Sequence, residues 1–241
     1  MMKSVFVLWQ DSAETRMWFP VAKLTQKSEL DYVFNYTKGS EHKHFTYFPS
    51  MEDKNKKYVS DKLFTFFKNR LIPESRPEHD SMFEWSGLSP DSKNYLELLA
   101  ISGGEKKTDH FRIVNIPTKI NNTYTVKFFV SSINYLSSIE KQSLKLIEIG
   151  DELNYQFDEF NDIDNDATIL LKDHKSKVGY LPHYLCSELK KLLNFIDYEE
   201  IKFKVIKVNH DAPAQYRILC EMYAPWPKGF EPFSEDEFSL L

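Results

Sequence analysis

The residues of this chain best suited to chemistry lie in one short polar run, Asn161-Asp162-Ile163-Asp164-Asn165-Asp166-Ala167. Asn and Asp side chains bond to backbone groups a few residues along and so close tight turns. A carboxylate held in such a turn has lone pairs left to accept a hydrogen bond from a ligand hydroxyl. The alternating acids Asp162, Asp164 and Asp166 are also a minor candidate for holding a divalent ion, although the turn leaves their directions open. Other constellations carry less. His42-x-His44 pairs two imidazoles, but no cysteine or acid cluster stands at ligand spacing beside them, and the segment reads as a solvated loop. Ser102, Asp109 and His110 have no nucleophile-elbow pattern around them. Gly103-Gly104 ends an apolar helix and is not a phosphate cradle. The chain has 7 Gly in all, no Gly-rich nucleotide loop with a paired Lys, and no catalytic-loop set of metal-binding acids. Lys54-Asn55-Lys56-Lys57 reads as solvated surface. The expectation is a protein that is not an enzyme, with no catalytic residues, metal or cofactor.

The elements that must hold the polar run in place are legible around it. Leu153–Phe157 alternates and reads as a strand entering the loop. Ala167–Leu171 and Val178–Leu181 read as a hairpin around Asp173-His174-Lys175-Ser176. Leu185, Leu189, Leu192, Leu193 and Ile196 form one helical face directly after it. Tyr124–Val130, Ile201–Val208 and Tyr216–Tyr223 read as further strands. Ser137 and Glu140 have capping-box spacing at the start of a short helix that Gly150 closes. Upstream, Val5–Trp9, Arg16–Leu24 and Asp31–Tyr36 read as strands. Helices are expected over Leu63–Leu71, Asp80–Ser86 and Asp91–Ile101. Pro117 and the pair Asn121-Asn122 mark a domain boundary, giving domains 1–116 and 117–241.

Composition narrows the class. Hydrophobic residues make up 41% of the 241 positions, enough for real cores, and 19 Phe with 13 Tyr favour β-rich packing. The net charge is -5. Residues 1–120 carry 18 basic and 16 acidic side chains, whereas 121–241 carry 13 and 20. A nonspecific duplex binder presents a basic face, so the acidic second half argues against broad backbone binding. Cys186 and Cys220 read as two buried free thiols in a reducing cytosol. Met1-Met2-Lys3-Ser4 leads straight into a strand with no signal pattern, and no apolar run reaches membrane-span length, so a soluble cytoplasmic protein is expected.

Three pieces in order, Gly150-Asp151-Glu152-Leu153, the spacing N-x-x-D-x-x-A at Asn161, Asp164 and Ala167, and Val178-Gly179-Tyr180-Leu181-Pro182 before a helix, resemble the HIRAN domain over roughly residues 124–196. The resemblance implies a small OB-like β-barrel with helices that holds single-stranded DNA at its 3′ end. It implies that Asp164 accepts the terminal hydroxyl, that Asn161 shapes the loop and that Tyr135 stacks on a base. It also sets Tyr180 and His183 where relatives have polar pocket residues. Two positions depart from DNA-binding relatives. Ile163 stands where an aromatic precedes the Asp, and Ile133-Asn134-Tyr135-Leu136 lacks their basic residue.

The first half is similar to the N-terminal domain of HipA-type toxin kinases. The matching stretches are Phe45-Thr46-Tyr47, Leu63 through Pro77 with its Leu71-Ile72-Pro73-Glu74-Ser75-Arg76 turn, and Leu98 through Gly104. In those bacterial kinases this domain packs on the catalytic core and carries no catalytic residues. The resemblances imply an α+β protein, with a small α/β N-terminal domain and a HIRAN-type barrel. The leading expectation is a non-catalytic module for single-stranded DNA or DNA 3′ ends. The alternative is a protein-interaction or antitoxin-like regulator of a HipA-type kinase.

Overall fold

The computed structural model describes residues 3–106, 108–161 and 164–241. Its contacts divide the chain into two compact units. The first comprises residues 1–82, 90–116 and 233–241, and the second comprises 83–89 and 117–232.

The first unit is built on β1 (Lys3–Gln10), β2 (Trp18–Ser28), β3 (Asp31–Tyr36), β4 (Tyr58–Ser60), α1 (Thr65–Lys68), α2 (Glu78–Trp85), α3 (Tyr95–Ser102) and β5 (Phe111–Asn115). The division between units falls inside α2. The strands form an antiparallel sheet in the order β4-β3-β2-β1-β5. Val5, Val7, Leu24, Phe34 and Ile113 leave its buried face and meet Phe67, Leu96 and Leu99 from the helices. Aromatic edges fill the remainder, with Phe34 and Tyr36 centroids 5.1 Å apart and nearly perpendicular. The buried Tyr36 hydroxyl donates to the Met51 carbonyl at 2.7 Å and accepts from Phe48 N–H at 2.9 Å, so a polar atom in an apolar core is satisfied twice.

Two expected helices are shorter than their apolar patterns. Residues 63–71 give a single α-turn, α1, because no side chain caps its start and the chain must leave helical geometry before Pro73. The helix expected from Asp91 begins at Tyr95. Lys93 adopts a left-handed φ of 45°, and the Asn94 side chain then caps Glu97 N–H. Gly103, at φ 81°, ends α3 by donating its N–H to the Leu99 carbonyl.

The tail from Phe233, placed with the second half on sequence, makes its contacts within the first unit. Phe233 and Phe238 lie edge-on to Phe6 at 5.6 and 4.9 Å. Lys38 Nζ meets Asp236 at 2.6 Å, and Leu240 bridges to Thr37.

The second unit contains β6 (Thr118–Ile120), β7 (Thr123–Phe129), α4 (Ser138–Ser143), β8 (Glu152–Phe157), β9 (Thr168–Lys172), β10 (Ser176–Tyr180), α5 (His183–Leu192), β11 (Lys202–Val208) and β12 (Ile218–Pro225). The sheet order is β10-β9-β8-β11-β12-β7-β6, antiparallel throughout. Leu185, Cys186, Leu189 and Leu192 are the buried stripe of α5 and join Phe128, Leu170, Phe203 and Val205 in one core. The three-residue β9–β10 turn places Asp173 and His174 at φ 52° and 58°, left-handed geometry of the kind that suits the right-handed twist of paired strands. The capping box of α4 is formed as its spacing predicts. Both cysteines are buried free thiols, and burial pushes Cys186 up to about 12.

The architecture is mixed α and β with two antiparallel sheets, and the larger sheet is open where a closed barrel is expected. Its edge strand β6 is three exposed residues long, too short to carry a ladder round to β10. Among the described residues, the link between these two sides of the sheet is one isolated bridge between Ser131 and Tyr180. No helix among the described residues is long and apolar enough to cross a membrane.

Arg70 is the main polar clamp of the first unit. Its side chain is 2% exposed, reaches both Asp109 carboxylate oxygens at 2.7 and 3.3 Å, donates to the Gly104 carbonyl at 2.9 Å and lies 4.1 Å over the Phe66 ring. Removing one partner of such a pair strands the other. Arg70→Ala should therefore destabilise the protein by about 3–5 kcal/mol, read as a lower urea midpoint at unchanged slope. A loss near zero would show that the clamp is dispensable.

Candidate nucleic-acid interface

The described residues of the polar run, Asn161 and Asp164 to Ala167, lie between β8 and β9 and are tied together by side-chain bonds. Asn161 Oδ1 accepts Asp164 N–H at 3.0 Å, and Asp164 Oδ1 accepts Asp166 N–H at 2.9 Å. Asp158 N–H and the Ala167 carbonyl close the base at 2.8 Å. These are the Asx-type bonds that the sequence pattern calls for. They leave Asp164 Oδ2 turned toward the first residue of α5, where His183 Nδ1 lies 2.7 Å away. The Asp164 side chain is 24% exposed and that of His183 46%, so the pair sits at a solvent-accessible rim.

A second polar cluster flanks the first. The Tyr180 hydroxyl donates to Asp158 Oδ2 at 2.7 Å and accepts from Lys177 Nζ at 2.9 Å, and the same ammonium lies 4.2 Å over the Tyr180 ring. Lys190 of α5 pairs with Asp166 and lies 5.5 Å from the centroid of the Phe157 ring. The loop acids are thus partly balanced by two lysines. The Tyr180 hydroxyl holds the Asp158 carboxyl below the usual carboxylate range, against burial, with help from Asn161, a backbone N–H and Lys177.

The backbone of β10 is set beside the chain that follows β7. Gly179 runs at φ 151°, and a Cβ there would fall 2.5 Å from Val130 Cγ1 and 2.6 Å from the Ser131 carbonyl oxygen. The absence of a side chain lets Tyr180 and Ser131 exchange two backbone hydrogen bonds at 2.8 and 2.9 Å. Ser132 then turns through a left-handed φ of 65° into the short 3-10 turn that carries Tyr135.

All five residues named on sequence, Tyr135, Asn161, Asp164, Tyr180 and His183, lie in the second unit. Asn161, Asp164 and His183 form one hydrogen-bonded chain. Tyr180 is engaged with Asp158 and Lys177, not with Asp164. Tyr135 is 91% exposed, a large ring offered to solvent. Ile163, the departure from the aromatic pattern, and Asp162 lie outside the described residues. Asp158, Lys177 and Lys190 escaped the sequence reading, because their roles come from contacts across 22, 3 and 24 positions. Phe160 escaped it too, and it is 92% exposed within the same loop. Its sequence signal is a lone aromatic flanked by Asp158-Glu159 and Asn161, with no alternating apolar neighbours.

Because the folded-state value of Asp158 is depressed, its ionisation contributes stability above the unfolded carboxylate value near about pH 4, and that contribution is lost as pH falls through the folded value. Asp158→Asn should lower the unfolding free energy at neutral pH, and the gap to the parent protein should close on acidification below about pH 4. A gap that persists in acid would show that the carboxylate's charge is not what matters. Gly179→Ala should destabilise the protein and broaden the amide signals of Ser131 and Tyr180 together in a nuclear magnetic resonance spectrum. Unchanged signals would mean that the close approach tolerates a methyl group.

Comparison with known proteins places two families at the positions indicated by the motifs. The HIRAN domain family model matches residues 123–227, and the HipA N-terminal domain model matches residues 18–106. None of the curated proteins compared matches the chain. Among solved structures, a protein from Lactobacillus plantarum is similar at 18% identity and a TM-score of 0.33, over 42% of this chain and 89% of its own. The HIRAN domain of human HLTF is similar at 16% identity and a TM-score of 0.31, over 42% of this chain and 74% of its own. Both structural likenesses are slight.

Proposed function

We propose that the HIRAN region, residues 123–227, is a non-catalytic module that binds single-stranded DNA at a free 3′ end. The observation that carries this reading is the Asp164 carboxylate, fixed by a backbone hydrogen bond on one oxygen and 2.7 Å from His183 on the other, at an accessible rim. A carboxylate has about four lone-pair positions, so Asp164 can accept a terminal hydroxyl without releasing His183. A phosphate at the same place would set anion against anion. Tyr135 and Phe160 are the stacking surfaces, with Phe160 supplying an aromatic in the loop whose family position is Ile163. Lys177 and Lys190 supply local positive charge in an otherwise acidic half. With about two lysines engaged, the salt dependence should be shallow, a log–log slope of about -1.4.

Fluorescence anisotropy separates the roles. Asp164→Ala should weaken binding to linear single strands and leave the weaker binding to circular single strands, which have no end, unchanged. Equal weakening of both would remove Asp164 from the terminal-hydroxyl role. Tyr135→Ala and Phe160→Ala should each cost about 1–3 kcal/mol on any single strand, the usual worth of one stacked base. No loss in either variant would discard the stacking surfaces.

A second reading rests on the match of residues 18–106 to the HipA N-terminal domain. In this reading the first unit is a protein-docking module, and the chain regulates a HipA-type kinase in the manner of an antitoxin. The first unit has a groove of about 1300 Å³ whose walls carry both charges, including Lys62, Lys68, Arg76, Asp61, Glu74 and Glu78. A stable complex on gel filtration with a HipA-type kinase core lacking its own N-terminal domain would support this role, and failure to associate would count against it.

A further inference from the structure

The β1–β2 connection and the segment after the first unit's first 3-10 turn bring one acid together with two histidines about thirty positions further along the chain. Asp11 follows β1 and is fully buried, while His42 and His44 follow the turn at Lys38–Glu41. One ring nitrogen of each histidine and one oxygen of Asp11 lie within 4.8 Å of one another, and Asp11 Oδ1 is 3.1 Å from His44 Nδ1. We propose that Asp11, His42 and His44 form a binding site for a divalent ion of the zinc class, with a fourth position open to water.

Four features of the surroundings suit a ligand set. The anion is built in: Asp11 Oδ2 accepts Thr15 N–H at 3.0 Å and the Thr15 hydroxyl at 3.1 Å, and Oδ1 accepts Ala13 N–H at 3.2 Å. The imidazoles are also oriented. The His42 ring packs 4.2 Å from Phe19 and 5.6 Å from Trp9, on the two strands that flank the Asp11 loop. On the far side of His44, Nε2 lies 3.6 Å from Glu14 Oε2, which is held in turn by Lys43 at 2.6 Å. A carboxylate behind the second ring nitrogen fixes the tautomer of a metal-bound histidine. A His44 tautomer protonated on Nε2 would donate to Glu14 and leave the Nδ1 lone pair for the metal.

The size and donors fit as well. Ligand atoms at bond lengths of about 2.0–2.1 Å around a tetrahedral ion stand about 3.3 Å apart. The Asp11–His44 edge is already near that spacing, and the exposed His44 can close the remainder. Two imidazoles and one carboxylate suit zinc and its borderline neighbours rather than calcium or magnesium, which take oxygen ligands. The ion would tie the β1–β2 loop to residues 42–44.

The test is zinc titration calorimetry on the full chain without a histidine tag, with Co²⁺ as a visible-absorption probe. The expected result is one ion bound per chain, ligand-field bands from Co²⁺ that Zn²⁺ abolishes, and a higher melting temperature with zinc. His42→Gln and His44→Gln keep polar side chains of similar length and spare the Asp11 loop bonds; each should lower zinc affinity by at least about 100-fold, and Glu14→Gln by about 10-fold. His174→Gln, in the β9–β10 turn of the second unit, should bind as the parent does. Failure to bind one equivalent, or undiminished binding when His42 and His44 are both replaced, would overturn the site.

Discussion

At Gly179 the backbone of β10 passes so close to Val130 and Ser131 that no Cβ fits between them. The candidate interface is arranged around that approach. It allows the paired hydrogen bonds of Ser131 and Tyr180, which connect the end of β10 to the chain leaving β7. Upstream of the bridge, the hairpin register sets Tyr180 opposite Ile169 and holds the acid loop at the head of β9. Downstream, Leu181 N–H bonds to the Thr168 carbonyl at 2.9 Å, and α5 begins two residues later with His183 facing Asp164. One missing side chain thus sets where the loop, the histidine and the Tyr135 turn can be.

For the proposed function, the electrostatics suit an end-binding pocket better than a backbone-tracking groove. A surface that follows many phosphates needs a row of cations and shows steep salt dependence. Here Lys177 and Lys190 are each held by partners within the loop cluster, and the second half of the chain carries more acids than bases. Specificity in such a site comes from a fixed acceptor, which rewards a hydroxyl and penalises a phosphate, together with aromatic faces that accept any base. The Asp164 carboxylate is held by hydrogen bonds already formed with Asp166 and His183, so its acceptor position is set before binding.

Much of the architecture around the interface could be read along the chain, because it depends on neighbours. The β9–β10 turn needs two residues tolerant of left-handed geometry, and Asp173-His174 lie between alternating apolar runs. Ser137 and Glu140 cap each other at three residues' separation, and the α5 stripe recurs at helical spacing. Features that depend on distant partners were not legible. Sheet closure fails at β6, three exposed residues within the stretch that sequence marks only as a domain boundary. The tail from Phe233 has an acidic, aromatic composition that does not reveal its contacts with Phe6 and Tyr36. His42 and His44 look unaccompanied in sequence, since Asp11 lies about thirty positions away and reaches them through the pairing of β1 with β2. In the acid loop, sequence gives the Asx bonds of Asn161 and Asp164, whereas the exposure of Phe160 and the hold of Tyr180 on Asp158 emerge only from packing.

The most direct test of the account compares two short single strands that differ only at the 3′ end, one with a free hydroxyl and one with a phosphate, by fluorescence anisotropy against the full chain. The account predicts saturable binding of the hydroxyl strand and a loss of at least about tenfold on phosphorylation, since about 1.4 kcal/mol of repulsion at Asp164 suffices for that factor. Equal affinity for the two ends, or no binding to either, would contradict it.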